Sequence, residues 1–466
     1  METYVKAVND IIWSDLFIAL CVITGIYFSV KMRFPQVRYI GEMWKLLFFE
    51  SSSSEKGISS FQAFAIAISG RVGTGNIAGV ATAIGMGGPG AVFWMWAIAF
   101  LGSASAIVEA ALGQMYKEVR DGQYRGGPAF YIEKGLKLKW YAVAFAIVTV
   151  MGTGLFLPGV QSNSIAVAVK TAFNIPRNIT GIVVVFVLGL IIFGGVRRIA
   201  KVAEYLVPFM AGGYILMALI IIGINYEYIP SVFKLIFSSA FGIDATFGGI
   251  VGAAISWGVK RGVYSNEAGQ GSAPHAAAAA EVSHPMKQGL IQGFSVYIDT
   301  LFVCTATALV ILFTGMYNVE HPSGRFIVEH LPGVAKGAEY TQFAVSYHFS
   351  AIGSSFVAIS LFFFAFTTIM AYYYIAETNV SYLQGKNKSK AFINIFRAVI
   401  LFSTYYGAIK TSDLAWGLGD IGVGLMAWLN IIALWLLQKK AFSLFKDYEK
   451  QRKEGKDPTF DFSCNQ

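Results

Sequence analysis

Charge is what this chain of 466 residues has least of: Asp, Glu, Lys and Arg make up 14% of it, against about 25% in an ordinary soluble domain. The chain is 55% hydrophobic with a mean hydropathy of +0.57. A water-facing globule of that composition lacks the polar residues to cover its surface. Cysteine is scarce too. Cys21, Cys304 and Cys464 are too few and too scattered for a disulfide framework or a thiolate metal site. The five histidines form no HExxH cluster. Low polarity and long apolar runs exclude an extended disordered chain. What remains is an all-α polytopic membrane protein. Its net charge of +9 reads as topology, and no nucleic-acid partner is expected.

A bilayer core takes about 20 mostly apolar residues per helix, because lipid offers no partner for free backbone groups. On that scale the sequence predicts eleven spans, at 11–31, 60–84, 91–116, 140–169, 179–196, 203–224, 247–269, 288–314, 343–376, 393–409 and 414–437. The first carries Lys31 and Arg33 after its apolar stretch instead of before it, which predicts a retained helix and not a signal peptide. With the N-terminus outside and eleven crossings, only Lys6, Lys170, Arg177, Lys234, Arg325, Lys336 and Lys410 fall outside. Most other cations fall inside, so the expected orientation is N-terminus out and C-terminus cytoplasmic, in a plasma (inner) membrane. The basic tail 438–466 is expected to meet only cytoplasm and anionic lipid.

With the first helix and its connection (1–58) set aside, ten spans divide into five and five, 59–225 and 226–437. Each five begins with a glycine-interrupted span that contains cations. The first has Gly70, Gly73, Gly75 and Gly79 around Arg71; the second has Gly252, Gly258 and Gly262 around Lys260 and Arg261. In this topology the two run in opposite directions. Paired interruptions in oppositely oriented halves are the signature of an inverted-repeat secondary transporter. A single such span reads first as close helix packing, since Gly75 and Gly79 make a GxxxG. The pairing reverses that preference. A dinucleotide loop does not fit, as no strand precedes Gly73.

The stretches GRVGTGNIAGVATAIGMGGPGAVFWMW, GVKRGVYSNEAGQGSAPHAAAAAEVSHPMKQGLIQGFSVYIDT and FFFAFTTIMAYYYIAETN resemble the alanine or glycine:cation symporter family, from about residue 58 to the last span. The resemblance implies the leucine-transporter-type fold of the amino acid–polyamine–cation superfamily. That fold is a 5+5 inverted repeat, here with one extra N-terminal helix. It also implies uptake of alanine or glycine coupled to sodium ions (Na+). No organic cofactor and no obligate protein partner are expected. Two positions depart from the family pattern: His275 stands where Asn is common, with little consequence expected, and Tyr372 stands where Trp is common, at a place that bears on pocket size.

The free amides of Gly73, Thr74 and Gly75, at the start of a resumed half-helix, are expected to bind the substrate carboxylate. Thr74 and Asn76 add side-chain bonds or cap the helix. Ser256, Trp257 and Gly258 are expected to offer carbonyls to the ammonium group and a ring to the methyl group; ordinary packing of Trp257 is equally weighted. Gln161, Asn163 and Ser164 read as interhelical glue by default, and the resemblance turns them toward the pocket. Thr367 and Thr368 follow Phe364 at helical spacing, and hard cations take oxygen ligands. The resemblance implies that they form a sodium site with Gly70 and Gly73; the competing reading is a hydroxyl bonded back to its own helix. Glu109, Asp299 and Glu267 are expected to partner Arg71, Lys260 and Arg261, whereas Glu281 and Glu377 are expected at the solvated cytoplasmic surface. Coupling to protons through Asp299 or Glu109 is the main rival. A channel ranks lower, and no nucleophile–base pair marks an enzyme.

Overall fold

The computed structural model describes residues 1–49, 56–120, 122–350, 352–385 and 389–462; Cys464 lies outside them. The chain opens with α1 (Glu2–Ile12) and α2 (Asp15–Lys31), bent by 43° against each other. Arg33 and Phe34 both take left-handed φ, 57° and 55°. This sharp turn leads to α3 (Ile40–Phe48), which buries Met43, Leu46 and Leu47 and exposes Ile40, Trp44 and Phe48.

The first expected interruption is present. α4 (Ser60–Arg71) starts with a capping box, in which the Gln62 amide donates to Ser59 Oγ (3.1 Å) and the Ser59 amide donates to Gln62 Oε1 (3.3 Å). It ends at Val72, and helical bonding resumes as a π-type turn at Gly75–Gly79 that runs into α5 (Val80–Gly87). Next come α6 (Gly90–Met115), a hairpin of β1 (Glu118–Arg120) and β2 (Gln123–Arg125), and α7 (Lys139–Phe173). Then follow α8 (Arg177–Ile192), α9 (Gly195–Ile224) and α10 (Ile229–Ala240).

After these come α11 (Val251–Asn266), a non-helical stretch, and α12 (Ala273–Ala279). It continues with α13 (Pro285–Thr314), a hairpin of β3 (Asn318–Glu320) and β4 (Phe326–Glu329), α14 (Ala338–His348), α15 (Gly353–Gln384), α16 (Lys390–Ile409) and α17 (Ser412–Lys453). The expected span 343–376 is therefore two helices, the first ending at His348 and the second beginning at Gly353.

Among the described residues, seven helices are long and apolar enough to cross a membrane, or eight with the bent α1–α2 pair. The three other expected spans are the two interrupted ones and α8, which has 16 residues. α6 packs along α11 and α13, and α7 along α15 and α16; the interrupted segments lie among them.

α17 corrects the expectation that the tail from residue 438 meets only cytoplasm and anionic lipid. At 42 residues it is about 63 Å long, roughly twice a bilayer core. Its basic end stays helical and pairs with the start of the chain: Arg452 with Glu42 (2.6 Å), Arg38 with Glu449 (2.6 Å), and the Tyr448 hydroxyl with Glu42 (3.0 Å).

Candidate functional site

At the first interruption the chain leaves two amides without helical partners, and neutral side chains take both. The Gly73 amide donates to Asn76 Oδ1 at 2.9 Å, and the Thr74 amide donates to Gln161 Oε1 of α7 at 3.0 Å. Thr368 on α15 lies directly over Gly73, so closely that a side chain at 73 would strike its hydroxyl. That hydroxyl is 2.7 Å from the Ser69 carbonyl and 2.9 Å from the Phe364 carbonyl. Thr367, one residue earlier, faces away. Its hydroxyl bonds the carbonyls of Phe363 (3.0 Å) and Phe364 (2.9 Å) beside Met210. Thr367 is thus bonded back to its own helix.

The second interruption lies about ten residues later than the glycine pattern indicates. α11 is continuous through Ser256, Trp257 and Gly258, so their carbonyls belong to helical bonds and are not open to an ammonium group. The reason is packing: Gly258 and Gly262 form a GxxxG that seats α11 on α6, where added side chains would collide with Ala91, Trp94 and Ile98. The chain breaks instead over 267–272. Glu267 (φ 56°), Gly269 (φ 78°) and Gly271 (φ 82°) are left-handed there. Such a conformation is uncommon for a residue other than glycine and marks Glu267 as a constrained position.

Glu109 closes this break. Its carboxylate accepts the amides of Gly269 (3.2 Å) and Gly271 (3.1 Å) and the Asn430 side-chain amide (2.8 Å). Asn430 also donates to the Gly269 carbonyl at 2.9 Å and accepts the Tyr131 hydroxyl.

The two breaks meet. Arg71, 1% exposed, donates from Nε to the Asn266 carbonyl at 2.6 Å and from Nη1 to Gln292 Oε1 at 3.0 Å and to Ser295 Oγ. Gly70 faces the Glu267 carboxylate, and a Cβ there would lie 3.1 Å from it; the Tyr372 hydroxyl meets the same carboxylate. Asn76 donates to Asp299 Oδ1 at 2.6 Å, and Asp299 also accepts Ser265 (3.0 Å) and Thr300 (2.7 Å). Arg71 Nη2, Thr74 Oγ1, the Tyr264 hydroxyl and Gln292 Nε2 are buried here without a protein partner. Buried polar groups are nearly always paired, so such a concentration marks a place for water or ligand.

Other expected partners are elsewhere. Lys260 and Arg261 pair with Asp420 of α17, at 2.8 and 2.7 Å, and not with Glu109, Asp299 or Glu267. Both cations lie over the Trp257 ring, at 5.1 and 5.4 Å. Asn163 ties α7 to the α16–α17 turn through the carbonyls of Gly407 (2.9 Å) and Lys410 (2.7 Å) and through Ser412 (3.0 Å). Glu377 is 8% exposed and 3.9 Å from Arg125, so it is not solvated. His275 is fully buried against Asn379 at 2.8 Å and so carries packing weight. The residues that sequence reasoning missed are Asp420, Asn430 and Gln292. Asp420 had a readable signal, an acid inside an apolar span.

A helical bundle with two interrupted spans meeting in a buried polar centre belongs to the class of membrane transporters. The fold is shared with a solved structure: that of a manganese transporter from Eremococcus coleocola is similar with a TM-score of 0.54 over 91% of each chain, at 12% identity. Over residues 1–462 the chain matches the sodium:alanine symporter family, and it belongs to that family. It is 59% identical, over 99% of its length and 95% of the relative's, to a putative sodium/proton-dependent alanine carrier protein of Bacillus subtilis. It is 54% identical, over 88% of its length and 92% of the relative's, to a sodium/proton-dependent alanine carrier protein of Bacillus sp. strain PS3.

Proposed function

We propose that the chain is a sodium-coupled symporter that imports alanine or glycine by alternating access. In this reading it has eleven spans in a plasma membrane, N-terminus outside, and residues 59–225 and 226–437 form inverted five-helix repeats. The observation that carries the substrate assignment is the first break, where the amides of Gly73 and Thr74 rest on the neutral oxygens of Asn76 and Gln161. A carboxylate makes stronger bonds to such amides than a carboxamide does, so an amino acid displaces these side chains and takes their place. The ammonium end then faces the second break, with Glu267 and Tyr372 bounding the pocket. Ser256, Trp257, Gly258 and Asn163 leave the proposed pocket, because their polar groups are engaged elsewhere or their carbonyls are helical.

Sodium is assigned to the oxygens around Thr368: its hydroxyl, the Phe364 and Ser69 carbonyls, and the backbone of Gly70 and Gly73. Thr367 leaves this set. With one sodium per neutral substrate, 100 mV contributes about 2.3 kcal/mol and a tenfold sodium gradient about 1.4 kcal/mol. Together they sustain roughly several-hundredfold accumulation. A pocket bounded by Gly70, Gly73 and Tyr372 favours small side chains.

The test is uptake of labelled alanine by the purified chain in liposomes under a sodium gradient or a pH gradient, with glycine and glutamine as competitors. Saturable, sodium-driven uptake with counterflow and with competition by glycine is expected. Uptake that follows the pH gradient alone would assign the coupling to protons, and currents far above carrier rates would assign a channel.

A further inference from the structure

The basic end of the bundle, cytoplasmic in the orientation proposed above, is where the two interrupted spans are fastened together. The Ile58 amide donates to the Ala279 carbonyl and the Glu281 amide to the Ile58 carbonyl, each at 3.0 Å. These bonds join the entrance of α4 to the exit of α12. The linker that follows, residues 280–284, is held from outside by the chain after α17. The Phe460 amide donates to the Ser283 carbonyl at 2.8 Å, and Ser283 Oγ donates to the Pro458 carbonyl at 2.8 Å. Lys287, 1% exposed at the start of α13, meets Asp457 at 2.7 Å.

Packing reinforces these bonds. The Phe460 ring lies edge-on to His284 with 5.8 Å between centroids. Phe462 sits 5.1 Å from Lys117 Nζ, which itself donates to the Ala280 carbonyl at 2.9 Å. Gln451 of α17 fixes the returning chain by bonding both the amide and the carbonyl of Thr459, each at 2.9 Å. Pro458 is buried in an otherwise exposed run from Lys453 to Thr459.

We infer that residues 456–462 are a latch on this end of the transporter. They pin the 280–284 linker and thereby keep the inner ends of α4 and α12 together. Passage of substrate to this side requires those ends to part, so the latch must lift first. The inference rests on the alternating-access reading for its meaning in transport, but the latch itself is open to a measurement that involves no transport.

That measurement is backbone hydrogen–deuterium exchange on the full chain, on Phe460→Ala, on Asp457→Asn and on a chain ending at Gly455. Local opening sets the exchange rate of amides inside a structured segment. The expected result is exchange about tenfold faster at residues 58 and 279–284 in Phe460→Ala and in the shortened chain, and about threefold faster in Asp457→Asn, with residues 72–76 unchanged. Equal rates at 279–284 in all four proteins would overturn the latch. A uniform rise along the whole chain would overturn it as well, because a latch frees only what it holds. Alanine counterflow on the same samples separates the two ideas. A full chain that carries no alanine refutes the transport reading, whereas the exchange result judges the latch either way.

Discussion

The two interrupted spans solve one backbone problem in opposite ways. At 72–74 the freed amides rest on neutral carboxamides, Asn76 and Gln161. At 267–272 they rest on a buried carboxylate, Glu109, which Asn430 braces. A carboxylate already in place leaves nothing for an incoming anion to gain, so the second break is locked. A carboxamide is the weaker acceptor and yields to a charged one. One break is thus held by the protein's own carboxylate, and the other, on the function proposed above, is the cradle for the substrate's carboxylate. The chemistry of the acceptor, and not the presence of a break, separates structure from binding.

The largest expected effect comes from spoiling the lock. Glu109→Gln removes the charge from three hydrogen bonds, and bonds to charged groups contribute about 1.5–3 kcal/mol each. The variant should yield little monodisperse protein and melt well below the parent in a detergent thermal scan. A parent-like melting curve would show that charge does not hold the second break, and the contrast between the breaks would fail. Next in size is Gln161→Glu, which places a permanent anion on the Thr74 amide. Folding should persist, because the acceptor is kept, while alanine binding should weaken by about a hundredfold. Equilibrium binding to the purified variant decides this; unchanged affinity would move the substrate carboxylate away from Thr74.

The contrast also explains what the sequence made legible. The first break was readable because its glycines and Arg71 stand in one short run. The second was placed too early because Gly258 and Gly262 carry the same letters for another purpose, seating α11 against α6. Composition cannot distinguish a glycine that frees backbone from one that admits a neighbouring helix. The actual break was marked by Asn266-Glu267-Ala268-Gly269-Gln270-Gly271, a polar run inside an apolar context. Glu109 was visible as an intramembrane acid, but its partners are 160 residues away or more, a distance that periodicity does not bridge. Asp420 carried the same signal, and its pairing was hidden for the same reason, since it answers Lys260 and Arg261 from the other end of the chain.

The smallest expected effect separates neighbouring residues of one helix. Thr367 and Thr368 are about 100° apart around α15, and only Thr368 reaches the first break. Valine preserves the shape of threonine and removes the hydroxyl. Thr368→Val should therefore raise the half-saturating sodium concentration for alanine uptake by about tenfold, by deleting one oxygen from the ion's ligand set. Thr367→Val removes bonds back to its own helix and a contact with the Met210 sulfur and should change the same quantity by less than about twofold. A sodium titration of uptake in liposomes reads both. If the two variants respond alike, sodium does not bind at the Thr368 face, and the cradle at the first break then serves the amino acid without its ion.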